Sequence, residues 1–171
     1  MKIFGVVGYK NAGKTGLMER LVAEITTRGY TVSTIKHAHH AFDVDRPGKD
    51  SHRHRVAGAS QVLLSSANRW ALMSELRDAA EPVLAELLTQ LSPVDLVLIE
   101  GYKRDSHPKI EAHRRETGQP LIAVDDPTIL AVASNDIIQD IDVPVFDLNA
   151  TKEIAEFILQ TTGLCQFEKT A

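Results

Sequence analysis

Hydrophobic and polar positions alternate along the chain in the manner of an α/β protein. Residues 2–7 form a short apolar run that Gly8 ends, which predicts a buried strand. Lys14 to Arg28 carries apolar side chains at helical spacing and is followed by Gly29, so it predicts a helix with a glycine cap. Thr31 to Lys36 predicts a second strand. Strand, loop, helix and strand make a βαβ unit, and we therefore expect a mostly parallel sheet.

Beyond this unit the pattern predicts a hairpin, further helices and several short strands. Two apolar runs, 61–65 and 70–74, are separated by four polar residues and predict a small β-hairpin. The predicted helices are 51–58, 81–91 and 151–161, and the predicted strands are 95–100, 109–113, 121–124, 130–133 and 143–146. We expect one domain over residues 1–165 and a flexible tail over residues 166–171.

Composition narrows the class of protein. The chain has 171 residues, is 43% hydrophobic and carries a formal charge of −4, which argues against a protein that coats nucleic acid by bulk charge. No stretch approaches the about 20 apolar residues that span a bilayer, so we expect no membrane partner and a cytoplasmic location. Cys165 is the single cysteine and cannot form an internal disulfide.

The most specific motif is the segment Gly8-Tyr9-Lys10-Asn11-Ala12-Gly13-Lys14-Thr15, which matches the phosphate-binding pattern G-x-x-x-x-G-K-[ST]. It follows a predicted strand and opens a predicted helix, as the chemistry requires. Backbone N–H groups of such a loop surround a phosphate, and the helix N-terminus adds partial positive charge. Lys14 is expected to reach the β and γ phosphates and Thr15 to ligate Mg²⁺. The sequence thus predicts a three-layer P-loop NTPase fold that binds a purine nucleoside triphosphate with Mg²⁺, with a mostly parallel central sheet and the small hairpin in addition.

An acidic residue ends a second apolar strand. Leu96 to Ile99 are apolar and Glu100 follows, then Gly101. P-loop sites need such a carboxylate for Mg²⁺, held directly or through water. The usual residue is Asp, so Glu100 is a departure that can act through water or as a base. We expect Glu100 and Lys14 to carry any catalysis.

A polar loop holds five of the seven histidines, in the segments 36–40 and 50–55. One hypothesis is an anion site in which Lys36, Lys49, Arg53 and Arg55 meet phosphates, with the histidines as added donors. A second is a transition-metal site built on imidazoles, and a third is a solvated loop without ligand. Asp50 is the preferred second carboxylate for Mg²⁺, with a helix cap as the competing interpretation.

A candidate for reading the base follows a later strand. Asn135 and Asp136 end the strand predicted at 130–133, and a carboxylate there can accept from the N1–H and the exocyclic amine of guanine. The spacing is not the Asn-Lys-x-Asp of common GTPases, and Asn-Asp after a strand is often simply a turn.

Taken together, the motifs resemble a known family. The phosphate loop, Lys36-His37-Ala38-His39-His40, Phe42-Asp43-Val44-Asp45, Pro47-Gly48-Lys49-Asp50-Ser51, Arg53-His54-Arg55 and Glu100-Gly101-Tyr102-Lys103 are similar to those of the molybdopterin-guanine dinucleotide biosynthesis adapter proteins, the MobB family. The resemblance covers about residues 2 to 162.

The resemblance implies a GTP-binding adapter that assists the guanylyltransferase joining GMP to molybdopterin. It implies a homodimer, for which the 61–74 strands offer one contact, and at most weak GTP hydrolysis. Thr15, Asp50 and Glu100 become the candidates for Mg²⁺, and the basic loop would face molybdopterin or the partner enzyme. No arginine stands out as a finger in cis, although Arg53 and Arg55 could act across a dimer. A small-molecule kinase and a metal-delivery GTPase that uses the histidines are the alternatives.

Overall fold

The computed structural model describes residues 1–38 and 43–165, and these form two compact units. The first unit comprises Met1–His37 and the chain from Leu91 onward, and the second comprises the described residues between them. The predicted tail at 166–171 lies outside the described residues, and the prediction of one domain over 1–165 stays a prediction.

The first unit is an α/β sheet structure. Its six strands are β1 (Lys2–Val7), β2 (Val32–Lys36), β5 (Leu96–Glu100), β6 (Lys109–His113), β7 (Ile129–Ser134) and β8 (Val145–Asp147), and its helices are α1 (Lys14–Thr27) and α4 (Thr151–Thr161), with a short 3-10 helix at Arg115–Thr117. The strands lie in the order β2-β5-β1-β6-β7-β8, and every neighbouring pair is parallel. A parallel sheet brings all its carboxyl-terminal ends to one edge, where ligands of open α/β folds bind.

The hydrophobic core lies between one face of this sheet and the two helices. Its members are apolar residues with almost no exposed surface, among them Phe4, Val6, Leu17, Leu21, Leu98, Ile110 and Ile154. Ion pairs and hydrogen bonds fasten α1 to the α4 segment. The Arg28 guanidinium contacts the Glu156 carboxylate at 2.5 Å, and Arg20 donates to the Thr151 hydroxyl at 3.0 Å. Both helices are therefore fixed relative to the sheet.

The opposite face of β6 carries a buried polar layer. Lys109 and Glu111 are fully buried and alternate with Ile110, which points into the core. The Lys109 ammonium pairs with Asp126 at 3.3 Å, and the Glu111 carboxylate accepts the backbone N–H groups of Ile122 and Ala123, each at 2.9 Å. Each charged group thus has a partner that offsets the cost of burying it.

This layer explains the one predicted strand that is wrong. Residues 121–124 form a turn rather than a strand, because the Glu111 carboxylate binds the N–H groups of Ile122 and Ala123 that a strand ladder would need. The helix predicted at 81–91 is shorter and spans only Leu84–Leu88. The other predicted elements are confirmed, with bounds that differ by at most three residues.

The second unit contains the predicted hairpin and two short helices. They are α2 (Asp50–Val56), β3 (Gln61–Ser65), β4 (Trp70–Ser74) and α3 (Leu84–Leu88). The two strands pair antiparallel, from Gln61 opposite Ser74 to Ser65 opposite Trp70. Val62 is buried, whereas Leu63 and Trp70 are 61% and 64% exposed, so one side of the hairpin is an open apolar surface.

Arg55 forms ion pairs with three carboxylates of the second unit. Its guanidinium contacts the carboxylates of Asp43 at 3.0 Å, Asp45 at 2.5 Å and Glu75 at 2.6 Å. These hydrogen bonds raise the pKa of Arg55 and lower that of Asp45. The network ties the start of the described loop, helix α2 and the end of the hairpin together.

Among the described residues, no helix is both long enough and apolar enough to cross a membrane.

Candidate nucleotide-binding site

The phosphate loop lies where β1 ends at the carboxyl edge of the sheet and α1 begins. Gly8 has φ +143°, and a Cβ there would stand 2.3 Å from the backbone oxygen of Ala112 on β6. Only glycine can therefore leave the strand at this point. Asn11 and Gly13 have left-handed backbones, with φ +67° and +96°. Left-handed residues within such a turn are typical of backbone concavities that bind anions.

The loop offers unpaired donors. Within the described parts of the chain, the backbone N–H groups of Asn11 and Gly13 have no acceptor. The first turn of α1 adds the N–H groups that a helix start leaves free and its partial positive charge. An anion such as a phosphate can accept hydrogen bonds from these N–H groups and interact favourably with the partial positive charge of the helix start.

Lys14 reaches across the loop. Its ammonium donates to the backbone oxygen of Tyr9 at 2.8 Å. Burial lowers the pKa of Lys14, the Glu100 carboxylate opposes this, and the ammonium groups of Lys103 and Lys36 lower it further. Lys14 therefore lies near two further cations, Lys36 and Lys103. A negatively charged ligand that bound at the loop would interact with all three.

Glu100 and Thr15 come together at the predicted metal site. Glu100 ends β5 between two parallel neighbours, opposite Val6 on β1 and Lys36 on β2. The Thr15 hydroxyl lies 3.4 Å from a Glu100 carboxylate oxygen, and the Lys36 ammonium lies 3.3 Å from the same atom. Glu100 is only 9% exposed. It is therefore not a surface cap of the strand. A hydroxyl and a carboxylate are the hard oxygen donors that Mg²⁺ takes in P-loop sites, so these two residues fit that ion.

Two cavities adjoin the phosphate loop. One has a volume of about 600 Å³ and is lined by Tyr9, Lys10, Asn11, Arg114, Glu116, Thr117 and Gln119. The other has a volume of about 460 Å³ and lies along β2 and α1, lined by Thr15, Met18, Glu19, Val22, Thr34, Ile35, Lys36 and Glu100. Both open next to residues of the loop, so the site has room on either side of it.

The predicted base-reading residues have protein partners. The Asp136 carboxylate accepts the backbone N–H of Arg115 at 2.9 Å, and the Asn135 amide donates to Glu116 at 3.2 Å. They follow β7, two strands away from β1 and at the same edge of the sheet. The observed contacts hold the 3-10 helix, and the part of Asn135 and Asp136 in base recognition stays a prediction.

Lys49, Asp50 and Arg53 belong to the second unit, at the start and middle of α2. Asp50 is the first residue of the helix, and its carboxylate accepts the N–H of Ser51 at 2.9 Å, while Lys49 occupies the cap position. The roles of these three in anion or metal binding stay predictions. Arg55 differs, because its three carboxylate partners leave its guanidinium engaged within the second unit.

No group of three or more His, Cys, Asp or Glu residues in the described ranges is arranged to hold a metal ion. His39 and His40 of the predicted transition-metal site lie outside those ranges.

Two cations of the first unit were not predicted as site residues. The Lys103 ammonium lies 4.1 Å from the centroid of the Tyr9 ring. The Arg114 guanidinium packs against Gly13, 3.3 Å from where a Cβ would stand. Lys103 follows β5 and Arg114 follows β6, the two strands that flank β1, and this position just beyond a strand end is the signal that could have identified them.

The sheet order, the phosphate loop and the paired Thr15 and Glu100 define a P-loop NTPase fold. Over residues 3–135 the chain matches the family described as molybdopterin guanine dinucleotide synthesis protein B, MobB, and it belongs to that family.

Relatives extend the match along nearly the whole chain. A molybdopterin-guanine dinucleotide biosynthesis adapter protein of Haemophilus influenzae is 43% identical over 159 residues, covering 91% of this chain and 86% of that protein. The protein of the same name from Escherichia coli is 38% identical over 161 residues, covering 92% and 91%. The crystal structure of Bacillus subtilis MobB has a TM-score of 0.72 at 26% identity, covering 91% of this chain and 97% of that one. A MobB homologue from Bacillus stearothermophilus has a TM-score of 0.71 at 27% identity, covering 96% and 100%.

Proposed function

We propose that the protein is a GTP-binding adapter in molybdopterin guanine dinucleotide biosynthesis. In this proposal it binds GTP with Mg²⁺, assists the guanylyltransferase that joins GMP to molybdopterin, and hydrolyses GTP weakly at most. The names of the two relatives at 43% and 38% identity support the adapter role. The observation that carries the nucleotide part is the meeting of the Thr15 hydroxyl and the Glu100 carboxylate beside the phosphate loop.

The residues divide the work of binding a triphosphate. Gly8 to Gly13 surround the phosphates with backbone N–H groups, and Lys14 exchanges its bond to the Tyr9 oxygen for the β and γ phosphates. Thr15 and Glu100 hold Mg²⁺ directly or through water, with Asp50 as a third candidate. The ion, when bound, neutralises charge between the two terminal phosphates.

The proposal of slow GTP hydrolysis is consistent with the side-chain contacts of the two arginines of the second unit, Arg53 and Arg55. Arg55 is held by three carboxylates, so of the two arginines proposed to act across a dimer only Arg53 has a side chain without such partners among the described residues. A P-loop site that lacks an arginine finger hydrolyses its nucleotide roughly 10³- to 10⁵-fold more slowly than one that has it. Binding and release of GTP then serve to change the affinity of the adapter for its partner.

The remaining parts of the proposal rest on chemistry rather than on observed contacts. Asn135 and Asp136 would read guanine if the nucleotide displaced their present partners. Lys49 and Arg53 would bind the phosphate of molybdopterin or an acidic surface of the enzyme. A cytoplasmic homodimer formed through the hairpin would cover Leu63 and Trp70, which are now exposed.

Reconstitution with the guanylyltransferase tests the adapter role. The rate of molybdopterin guanine dinucleotide formation is measured with the enzyme alone, with the protein added, and with Lys14→Ala added at the same concentration. We expect the protein to raise the rate at limiting GTP and Lys14→Ala to have little effect, because its phosphate loop lacks the ammonium. No stimulation by the unaltered protein at any GTP concentration would contradict the proposal.

A further inference from the structure

Three lysines stand around the phosphate loop, and one of them, Lys103, has neither a hydrogen-bond acceptor nor an ion-pair partner among the described residues. The Lys14 ammonium donates to the Tyr9 backbone and the Lys36 ammonium pairs with Glu100. The Lys103 ammonium makes no hydrogen bond or ion pair with any residue that the structure describes. It lies over the face of the Tyr9 ring, 4.1 Å from the ring centroid. A half-buried ammonium with three free donors lies beside a site built for anions.

The chain after β5 holds Lys103 in this position. Gly101 and Tyr102 both have left-handed backbones, φ +99° and +51°, so the chain turns sharply directly after Glu100. The Gly101 N–H donates to the Val6 oxygen at 3.1 Å, and the Asp105 N–H closes the turn on the Tyr102 oxygen at 3.1 Å. A Cβ on Gly101 would stand 3.0 Å from the His37 side chain, which leaves little room for another path. Lys103 is therefore presented to the loop by fixed backbone rather than by a free segment.

Lys103 interacts electrostatically with Lys14 in the phosphate loop. Its positive charge lowers the pKa of Lys14, so the two ammonium groups repel each other in the protein without nucleotide. Burial lowers the pKa of Lys103 itself, and the buried Glu111 partly offsets this. A triphosphate would remove the repulsion by placing negative charge between the two lysines.

The position of Lys103 favours the terminal phosphate. Lys103 lies three residues beyond Glu100, the carboxylate proposed for Mg²⁺, and against Tyr9, the second residue of the loop. In P-loop sites the metal ion bridges the β and γ phosphates, while the α phosphate and the nucleoside lie toward the helix. A cation on the metal side of the loop start therefore meets the γ end of the nucleotide.

We infer that Lys103 is a phosphate-binding residue supplied in cis, which leaves the Tyr9 ring and donates to the terminal phosphate of the bound triphosphate. The inference rests on the proposed nucleotide function and adds a residue to it. Lys103 would make the site prefer a triphosphate over a diphosphate. It would also couple the loop after β5 to the presence of the γ phosphate.

Nucleotide titrations by calorimetry test the role of Lys103. Mg²⁺ complexes of GTP and GDP are titrated into the unaltered protein, Lys103→Met, Lys103→Arg and the neighbouring control Arg104→Gln. A charge-assisted hydrogen bond lost in the triphosphate complex alone predicts a GTP affinity about 10- to 100-fold weaker in Lys103→Met, with the GDP affinity nearly unchanged. Lys103→Arg should restore most of the preference, and Arg104→Gln, whose side chain is exposed, should retain it fully.

The outcomes separate this inference from the proposed function. If the unaltered protein binds neither nucleotide, the proposed function fails. If it binds GTP but Lys103→Met weakens GTP and GDP equally, or weakens neither, the inference about Lys103 is wrong. If the unaltered protein prefers adenine nucleotides, the ratio of triphosphate affinity to diphosphate affinity is measured with ATP and ADP instead. Thermal unfolding checks that each variant is folded, and Lys103→Gln replaces Lys103→Met if the latter does not fold.

Discussion

Replacing Gly8 tests the geometry on which the phosphate loop depends. At φ +143° an alanine is strained, and its Cβ would lie 2.3 Å from the Ala112 backbone oxygen. That oxygen belongs to a buried central strand and cannot withdraw as a flexible side chain could. Backbone strain costs about 1–3 kcal/mol and overpacking about 1–3 kcal/mol, so we expect Gly8→Ala to lower the free energy of unfolding by about 2–6 kcal/mol.

Thermal unfolding measures this loss, with Gly29→Ala as the matched control. For a chain of this length, the expected loss corresponds to a fall in Tm of about 6–17 °C. Gly29 also has a positive φ, +91°, but no atom lies within 4 Å of its Cβ position. Its replacement should therefore cost only the strain, about 1–2 kcal/mol or about 3–6 °C. If Gly8→Ala melted at or above the temperature of Gly29→Ala, the contact with Ala112 would not be what requires glycine in the loop.

Three further changes address the metal, the buried carboxylate and the second unit. Thr15→Ala should weaken GTP binding in Mg²⁺ far more than in EDTA, and an equal loss under both conditions would exclude Thr15 as a ligand. Burial raises the pKa of Glu111 above 4.5, so the folded protein binds this proton more tightly than the unfolded chain, and stability falls as the pH rises through the raised value. Glu111→Gln should therefore flatten the profile of Tm against pH as the pH rises above about 4.5, and an unaltered profile would contradict this. Arg55→Met should lower Tm more than Arg53→Met, because only Arg55 holds three carboxylates, and equal Tm values would show that the network contributes little.

Local patterns in the sequence were sufficient to predict segments whose structure depends on residues close together in the chain. The strand at Lys2–Val7 and the hairpin at 61–74 were predicted with their observed bounds. In both, an apolar run is stopped by glycine or polar residues. The pairing within the hairpin follows from its short connection, whereas β1 pairs with the distant strands β5 and β6 and not with β2, the next strand in the chain. The phosphate loop was predicted for the same reason, since motif, strand and helix are contiguous.

Features that depend on distant partners were missed. Residues 121–124 have the apolar pattern of a strand, yet their N–H groups are bound by Glu111, ten or more residues earlier in the chain. Lys103 was part of a recognised motif, but only the turn at Gly101 and Tyr102 places it over Tyr9. Arg114 meets Gly13 solely because β6 lies beside β1. The periodicity of apolar residues that predicts helices and strands does not predict such contacts between residues far apart in the chain.

Calorimetric titration with GTP and with ATP, each with Mg²⁺, tests the central claim most directly. Lys14→Ala serves as the control for binding at the phosphate loop. We expect GTP to bind more tightly than ATP and Lys14→Ala to abolish both, because Lys14 is the loop cation that we propose reaches the β and γ phosphates. Tighter binding of ATP would contradict guanine recognition by Asn135 and Asp136, and binding that survived in Lys14→Ala would place the nucleotide elsewhere on the protein.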